Sequence, residues 1–180
     1  MLIKKEFLEQ IAEMLNIDVL HCGQCYKKDS EGNLIKSIEV ERFWIAQTSY
    51  FTGWNDVVIT VIQTKEGQKG ILLIKHNKQE NGFLGYPSLE PIDLTGWEDP
   101  FAKMLSCVDV INHQPKSIIG IGLLSFDLWV NSGNFDAQMK VRPTQNQSSY
   151  ELFKCLITTI HYMARLYNNP DINAVVHPDR

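Results

Sequence analysis

From Lys4 to about Asn16 the chain places Phe7, Leu8, Ile11, Met14 and Leu15 at intervals of three and four, the spacing that gathers side chains on one face of a helix. The period then shortens. "VLHCGQCYKK" (19–28) and "LIKSIEVERFWIA" (34–46) flank "DSEGN", where Gly32 and Asn33 can take the positive φ of a tight bend, so two antiparallel strands are predicted. After a loop, "SYFTGWND", the runs "VVITVIQT" (57–64) and "GILLIKHN" (70–77) flank "KEGQK" as a second hairpin. Both are apolar throughout their centres, which suits strands inside a sheet. Residues 77–98 then form a long irregular segment with two prolines and three aromatics expected at the surface: Phe83, Tyr86 and Trp97. Asp99 before Pro100 reads as N-cap and first residue of a second helix, with Phe101, Met104, Leu105, Val108 and Ile111 inward and an end before Pro115. A third helix follows "SSYE" (148–151), a capping-box pattern, and buries Phe153, Leu156, Ile157, Ile160, Met163, Ala164 and Tyr167. Residues 168–180 read as a loosely packed tail.

The stretch "LLSFDLWVNSGNFDAQMKV" (123–141) alternates strictly and predicts a last hairpin. A turn at Ser132–Gly133 pairs Val130 with Phe135, Leu128 with Ala137 and Phe126 with Met139 on one apolar face. The opposite face pairs Trp129 with Asp136, Asp127 with Gln138 and Ser125 with Lys140, and should be solvated.

The elements amount to one α+β domain spanning 1–180: an antiparallel sheet of about six strands and three helices, in the order α-β-β-β-β-α-β-β-α. Echoing pentapeptides "TGWND" and "TGWED" lead into different elements and are not a repeat. A net charge of −4 and a pI of 5.7, without a lysine or arginine run, argue against a nucleic-acid-binding face. The charged N-terminus lacks the apolar core of a signal peptide, and no apolar run approaches a membrane span. A cytoplasmic protein with reduced cysteines, no cofactor and no metal is expected.

Motifs narrow the chemistry further. "CGQC" places Cys22 and Cys25 at redox or zinc spacing, but a helix precedes it and a strand follows, the reverse of a thioredoxin-like site. On one extended strand, residues three apart face opposite sides, so the two are read as structural thiols. HExxH, GxSxG and GxxxxGK(S/T) do not occur, and "GIG" at 120–122 sits in a strand, where its glycines make room for a helix or a bulge. The polar face of the last hairpin offers an enzymatic alternative. Asp127 opposite Gln138 and Lys140 resembles PD-(D/E)xK nucleases, where acidic groups hold a divalent metal and a lysine assists water. Gln138 stands where an acid is usual, and no proline precedes Asp127.

The order of elements over residues 4–168 resembles the secretion-chaperone-like fold of class I type III secretion chaperones and YbjN-type proteins. That resemblance implies a small, acidic, non-catalytic and commonly dimeric protein that binds extended segments of client proteins. The expected function is therefore a protein-binding module (chaperone, adaptor, inhibitor or immunity-type protein). Its expected contacts are Phe83, Tyr86 and Trp97 in the loop and Trp129 on the sheet face.

Overall fold

The computed structural model describes residues 3–49, 56–75, 90–97, 125–141 and 147–168. Helix α1 (Lys5–Met14) is followed by strands β1 (Gly23–Lys28), β2 (Leu34–Ser49), β3 (Asp56–Thr64), β4 (Gly67–Lys75), β5 (Ile92–Asp93), β6 (Ser125–Ser132) and β7 (Phe135–Val141). Helix α2 (Gln147–Tyr167) closes the series. The fold is α+β with one antiparallel seven-stranded sheet, ordered β5-β4-β3-β2-β6-β7 with β1 also on β2.

Among the described residues there are two helices, against three predicted. The expected middle helix, from Asp99 to before Pro115, lies outside them, as do Phe83, Tyr86 and the glycines of "GIG". The extra strand, β5, comes from the segment read as wholly irregular. Its two residues pair with Lys69 and Gly70 of β4.

Helix α1 stops for a local reason. Asn16 takes φ 55°, and Ile17 N–H reaches back to the Ala12 carbonyl at 3.0 Å while Asn16 N–H meets Glu13 O at 2.9 Å. This is a Schellman-type end with asparagine in the left-handed position and a buried Ile17 behind it. The described part of helix α2 takes in both Ser148 and Glu151 of the predicted capping pattern.

The β1–β2 bend is held by Asp29, whose Oδ1 accepts from the backbone of Glu31 and Asn33, both at 2.9 Å. Those amides hold its carboxyl below the ordinary range. The β3–β4 turn is tighter than predicted: Thr64 pairs with Gly67, leaving Lys65–Glu66 as a two-residue loop.

Strand β2 organises the sheet. Val40 pairs with both Gly23 and Thr64, so β1 and β3 lie on opposite edges. Phe43 likewise pairs with Ile62 of β3 and Asn131 of β6. Hence β1 and β6 occupy one edge of β2 in tandem. Two bulges accompany this. Gln24 and Tyr26 face Glu39 and Lys36, and Thr64 and Gln63 face Val40 and Arg42, leaving Glu41 as an extra residue. The extra residue switches the alternation, so Val40 joins Phe43 and Ile45 in one cluster despite its even spacing from neither.

Each sheet face carries a core. On one, Phe7 and Ile11 of α1, with Leu15 directly after it, pack on Val40, Phe43, Ile45, Val58, Ile62, Ile71 and Leu73. On the other, Leu152, Leu156, Ile160, Met163 and Ala164 of α2 pack on Trp44, Ile59, Leu72, Phe126, Leu128 and Val141. Fully burying a side chain such as Phe7 or Leu152 is worth roughly 2 kcal/mol. Helix α2 lies close over β4 because Gly70 has no side chain. A Cβ there would meet Leu94 Cδ1 at 2.7 Å and Met163 Cε at 2.8 Å. Among the described residues no helix is long and apolar enough to cross a membrane.

Candidate functional site

The last hairpin turns at Gly133–Asn134, one residue later than predicted, because Ser132 pairs with Phe135. Every partner on β7 therefore moves by two positions. An even shift preserves the faces, so the division into apolar and polar sides survives while the cross-strand pairs change. Asp127 stands opposite Lys140 rather than Gln138, and Trp129 opposite Gln138 rather than Asp136.

The registers extend into rows across the sheet on the α1 side. Lys140, Asp127, Gln47, Val58 and Leu73 form one row; Gln138, Trp129, Ile45, Thr60 and Ile71 form the next. Polar groups gather toward β6 and β7, and apolar ones toward β3 and β4 beneath α1.

This polar end is not a wet surface at its centre. Asp127 is 9% exposed, and its Oδ1 pairs with Lys140 Nζ at 2.9 Å. Gln47, also buried, accepts from the Lys4 backbone N–H at 3.3 Å and so ties the start of α1 to the same row. Trp129 packs edge-on against Phe43, ring centroids 5.0 Å apart, and its Nε1–H donates to Asp136 Oδ1 at 2.7 Å. That bond runs diagonally across the strands rather than between direct partners.

The three residues of the nuclease alternative share this face. Asp127 and Lys140 are in contact, and Gln138 lies one pleat along β7 from Lys140. A metal at Asp127 would have to displace the lysine. Among the described residues no cluster of three or more histidine, cysteine or acidic side chains is placed to hold an ion.

Cys22 and Cys25 depart from the strand geometry assumed for them. Strand β1 starts only at Gly23, whose φ of +101° breaks the alternation, and both cysteines pack against the α1-side cluster. Cys22 Sγ–H donates to Asn131 O at 3.4 Å, fastening the start of β1 to the end of β6. Cys25 is fully buried, with its sulfur 3.5 Å from His21 O. Burial pushes both thiols up, which keeps them protonated and poorly nucleophilic at neutral pH. Among the described residues Cys22, Cys25 and Cys155 form no disulfide.

Of the loop aromatics, Trp97 lies within the described residues. It is half-buried and stacked on Tyr162 of α2, with centroids 3.7 Å apart and planes at 15°. It also packs against the α2-side core.

One surface escaped the sequence reading. The arm made by β1 and the first part of β2 exposes Leu34 (63%), Tyr26 (41%) and Ile35 (40%). Tyr26 pairs with Lys36, Lys27 with Ile35 and Lys28 with Leu34, so apolar and cationic side chains alternate across it. Beside it a groove of about 390 Å³ runs between α1 and β1, with Glu9, Glu13 and Asp18 on the helix side and Lys27 and Lys28 on the strand side. The signal lay in Leu34–Ile35. Two adjacent apolar residues on a strand cannot both face one core. No protein-family model matches the chain, and neither the curated proteins nor the solved structures yield a match.

Proposed function

We propose that the chain is a non-catalytic protein-binding module: a chaperone, adaptor, inhibitor or immunity-type protein that engages a client polypeptide. The observation that carries this reading is the exposed apolar set Tyr26, Leu34 and Ile35 interleaved with lysines, on an arm that extends past the main sheet. Exposed apolar clusters of this kind serve interfaces. Phe83, Tyr86, Trp97 and Trp129 are proposed as further contacts. The secretion-chaperone-like architecture is part of the proposal, with a third helix over 99–114 completing the order α-β-β-β-β-α-β-β-α. Free thiols suit the proposed cytoplasmic setting.

The test is capture of a partner from the native host, repeated with Phe83, Tyr86 and Trp97 all changed to alanine, and separately with Leu34→Glu. Loss of the partner with either variant supports the corresponding surface. Unchanged capture with both removes these surfaces from the reading.

The metal-dependent nuclease remains the alternative. It gains from the adjacency of Asp127 and Lys140 and loses from their direct ion pair. Nucleic acid incubated with Mg²⁺ or Mn²⁺ decides it. Cleavage abolished by Asp127→Ala favours the enzyme, and intact substrate with both metals removes it.

A further inference from the structure

We propose that Cys22 and Cys25 form a thiol–disulfide switch. A low-molecular-weight disulfide oxidises the pair, and closing the bond releases the start of β1 from the end of β6.

The local backbone brings the two thiols together where a regular strand would hold them apart. Residues three apart on one extended strand face opposite sides. Here Gly23 takes φ +101°, and Cys22 lies just before β1 rather than in it. Both thiols consequently pack on the α1-side cluster. The Cys25 sulfur also turns back along the chain, to 3.7 Å from Gly23 O and 3.5 Å from His21 O, the carbonyls of the residues on either side of Cys22. The His21 carbonyl belongs to the planar peptide unit that ends at Cys22 Cα. The Cys25 sulfur therefore stands within about 6 Å of that Cα. A Cys22 side chain turned off Asn131 needs a local shift of roughly 1–2 Å to reach bonding distance. Glycine at position 23 is the residue best able to absorb it.

The thiols are unequally placed, and this assigns their parts. Cys22 is half-buried, whereas Cys25 is fully buried. A disulfide in solution, RSSR, meets Cys22 first. The Cys22 thiolate attacks one of its sulfurs, giving a mixed disulfide and releasing one RSH once the proton lost by Cys22 is taken up. The Cys25 thiolate then attacks the Cys22 sulfur, closes the internal bond and expels the second RSH. Two protein thiols lose two electrons and two protons, and one RSSR becomes two RSH. Burial, which holds both thiols above the ordinary range, slows these attacks without blocking them.

The reduced pair has a structural task that oxidation ends. Strands β1 and β6 lie in tandem along β2, and Cys22 Sγ–H donates to Asn131 O across their junction. A sulfur bonded to Cys25 has no hydrogen to donate and points away from β6. Strand β1 carries Tyr26 and leads to the bend before Leu34 and Ile35, so closure loosens the base of the exposed arm. In the reducing setting proposed for this chain, such a pair senses oxidation rather than stapling the fold. Closure is independent of what the arm binds, so its failure leaves the client reading standing, and the reverse.

The test treats the folded full chain with excess oxidised glutathione at mildly alkaline pH, then maps its peptides by mass spectrometry after the remaining thiols are blocked. The expected product is an internal Cys22–Cys25 bond. Cys25→Ser should stop at a glutathione adduct on Cys22, and Cys22→Ser should leave Cys25 unmodified. Circular dichroism checks that both variants fold, and the wild-type map decides closure by itself. Amide hydrogen exchange at Tyr26 and Lys27 should run roughly threefold or more faster in the oxidised protein, and dithiothreitol should reverse the change. Unreacted thiols, an adduct that persists on Cys22 of the wild type, modification of Cys25 in folded Cys22→Ser, or unchanged exchange after oxidation overturns the proposal.

Discussion

Asp127 shows how one side chain's role depends on which residue faces it. Opposite a glutamine it would have been an open carboxylate on a sheet face. Opposite Lys140 it is a nearly buried acid with its partner at 2.9 Å. Removing the lysine alone strands that charge, so Lys140→Met should cost about 1–2 kcal/mol. This is less than for a fully buried pair, because Lys140 is partly exposed. Asp127→Asn combined with Lys140→Met should cost less than the sum of the singles, and urea denaturation of the four proteins measures that coupling. Tyr167 makes a prediction about alkali. Burial raises its hydroxyl to about 12, and the hydroxyl donates to Glu90 O at 3.4 Å. Its stabilising contribution is complete below the unfolded value near 10 and is lost as pH rises from there toward 12. Ultraviolet titration should show one late-ionising tyrosine that Tyr167→Phe removes, and the variant should lose less stability over that window.

Gly70 does for helix α2 what the sequence assigned to the glycines at 120–122: it lets a helix approach a strand closely. Gly70→Ala should cost roughly 1–3 kcal/mol, read from the shift of the urea midpoint, because Leu94 and Met163 are themselves buried and have little room to yield. Legibility followed period. The spacing of Phe7 and Ile11 located α1, and the apolar centre of β3 marked it as an interior strand, whereas β4 is covered on its far side only at Lys69 and Gly70 among the described residues. The polar and apolar faces of the last hairpin were legible because alternation tolerates an even shift. The pairs were not, because the turn residue decides them, and Ser132–Gly133 and Gly133–Asn134 are both good turn sequences. The candidate site suffered most from this: the Asp127–Lys140 contact depends wholly on the pair. Glu41 was equally hidden, since a bulge is set by how neighbouring strands must bend. Strand β5, two residues long, has no period to read.

At the scale of the molecule, both cores are built on the same strands. Trp44 belongs to the α2 side and its neighbours Phe43 and Ile45 to the α1 side, so neither layer can separate without disturbing β2. Of the four tryptophans, Trp44 and Trp129 report from opposite faces. Variants retaining one of them, with the others changed to phenylalanine, should each show a fluorescence midpoint that coincides with its own far-UV circular dichroism midpoint. Separate midpoints would mean the layers melt independently. The tandem arrangement on β2 also imposes an order in time. Strands β1 to β4 each pair with the next along the chain, so their loops close at little entropic cost. The pair Ser49–Ser125 must close a far longer loop. The meander should therefore assemble first and display one half-occupied edge of β2, a short-lived template that β6 and β7 later complete. Pulsed hydrogen exchange during refolding should protect Ile59 and Leu72 before Leu128, and β6 protected first would reverse that order.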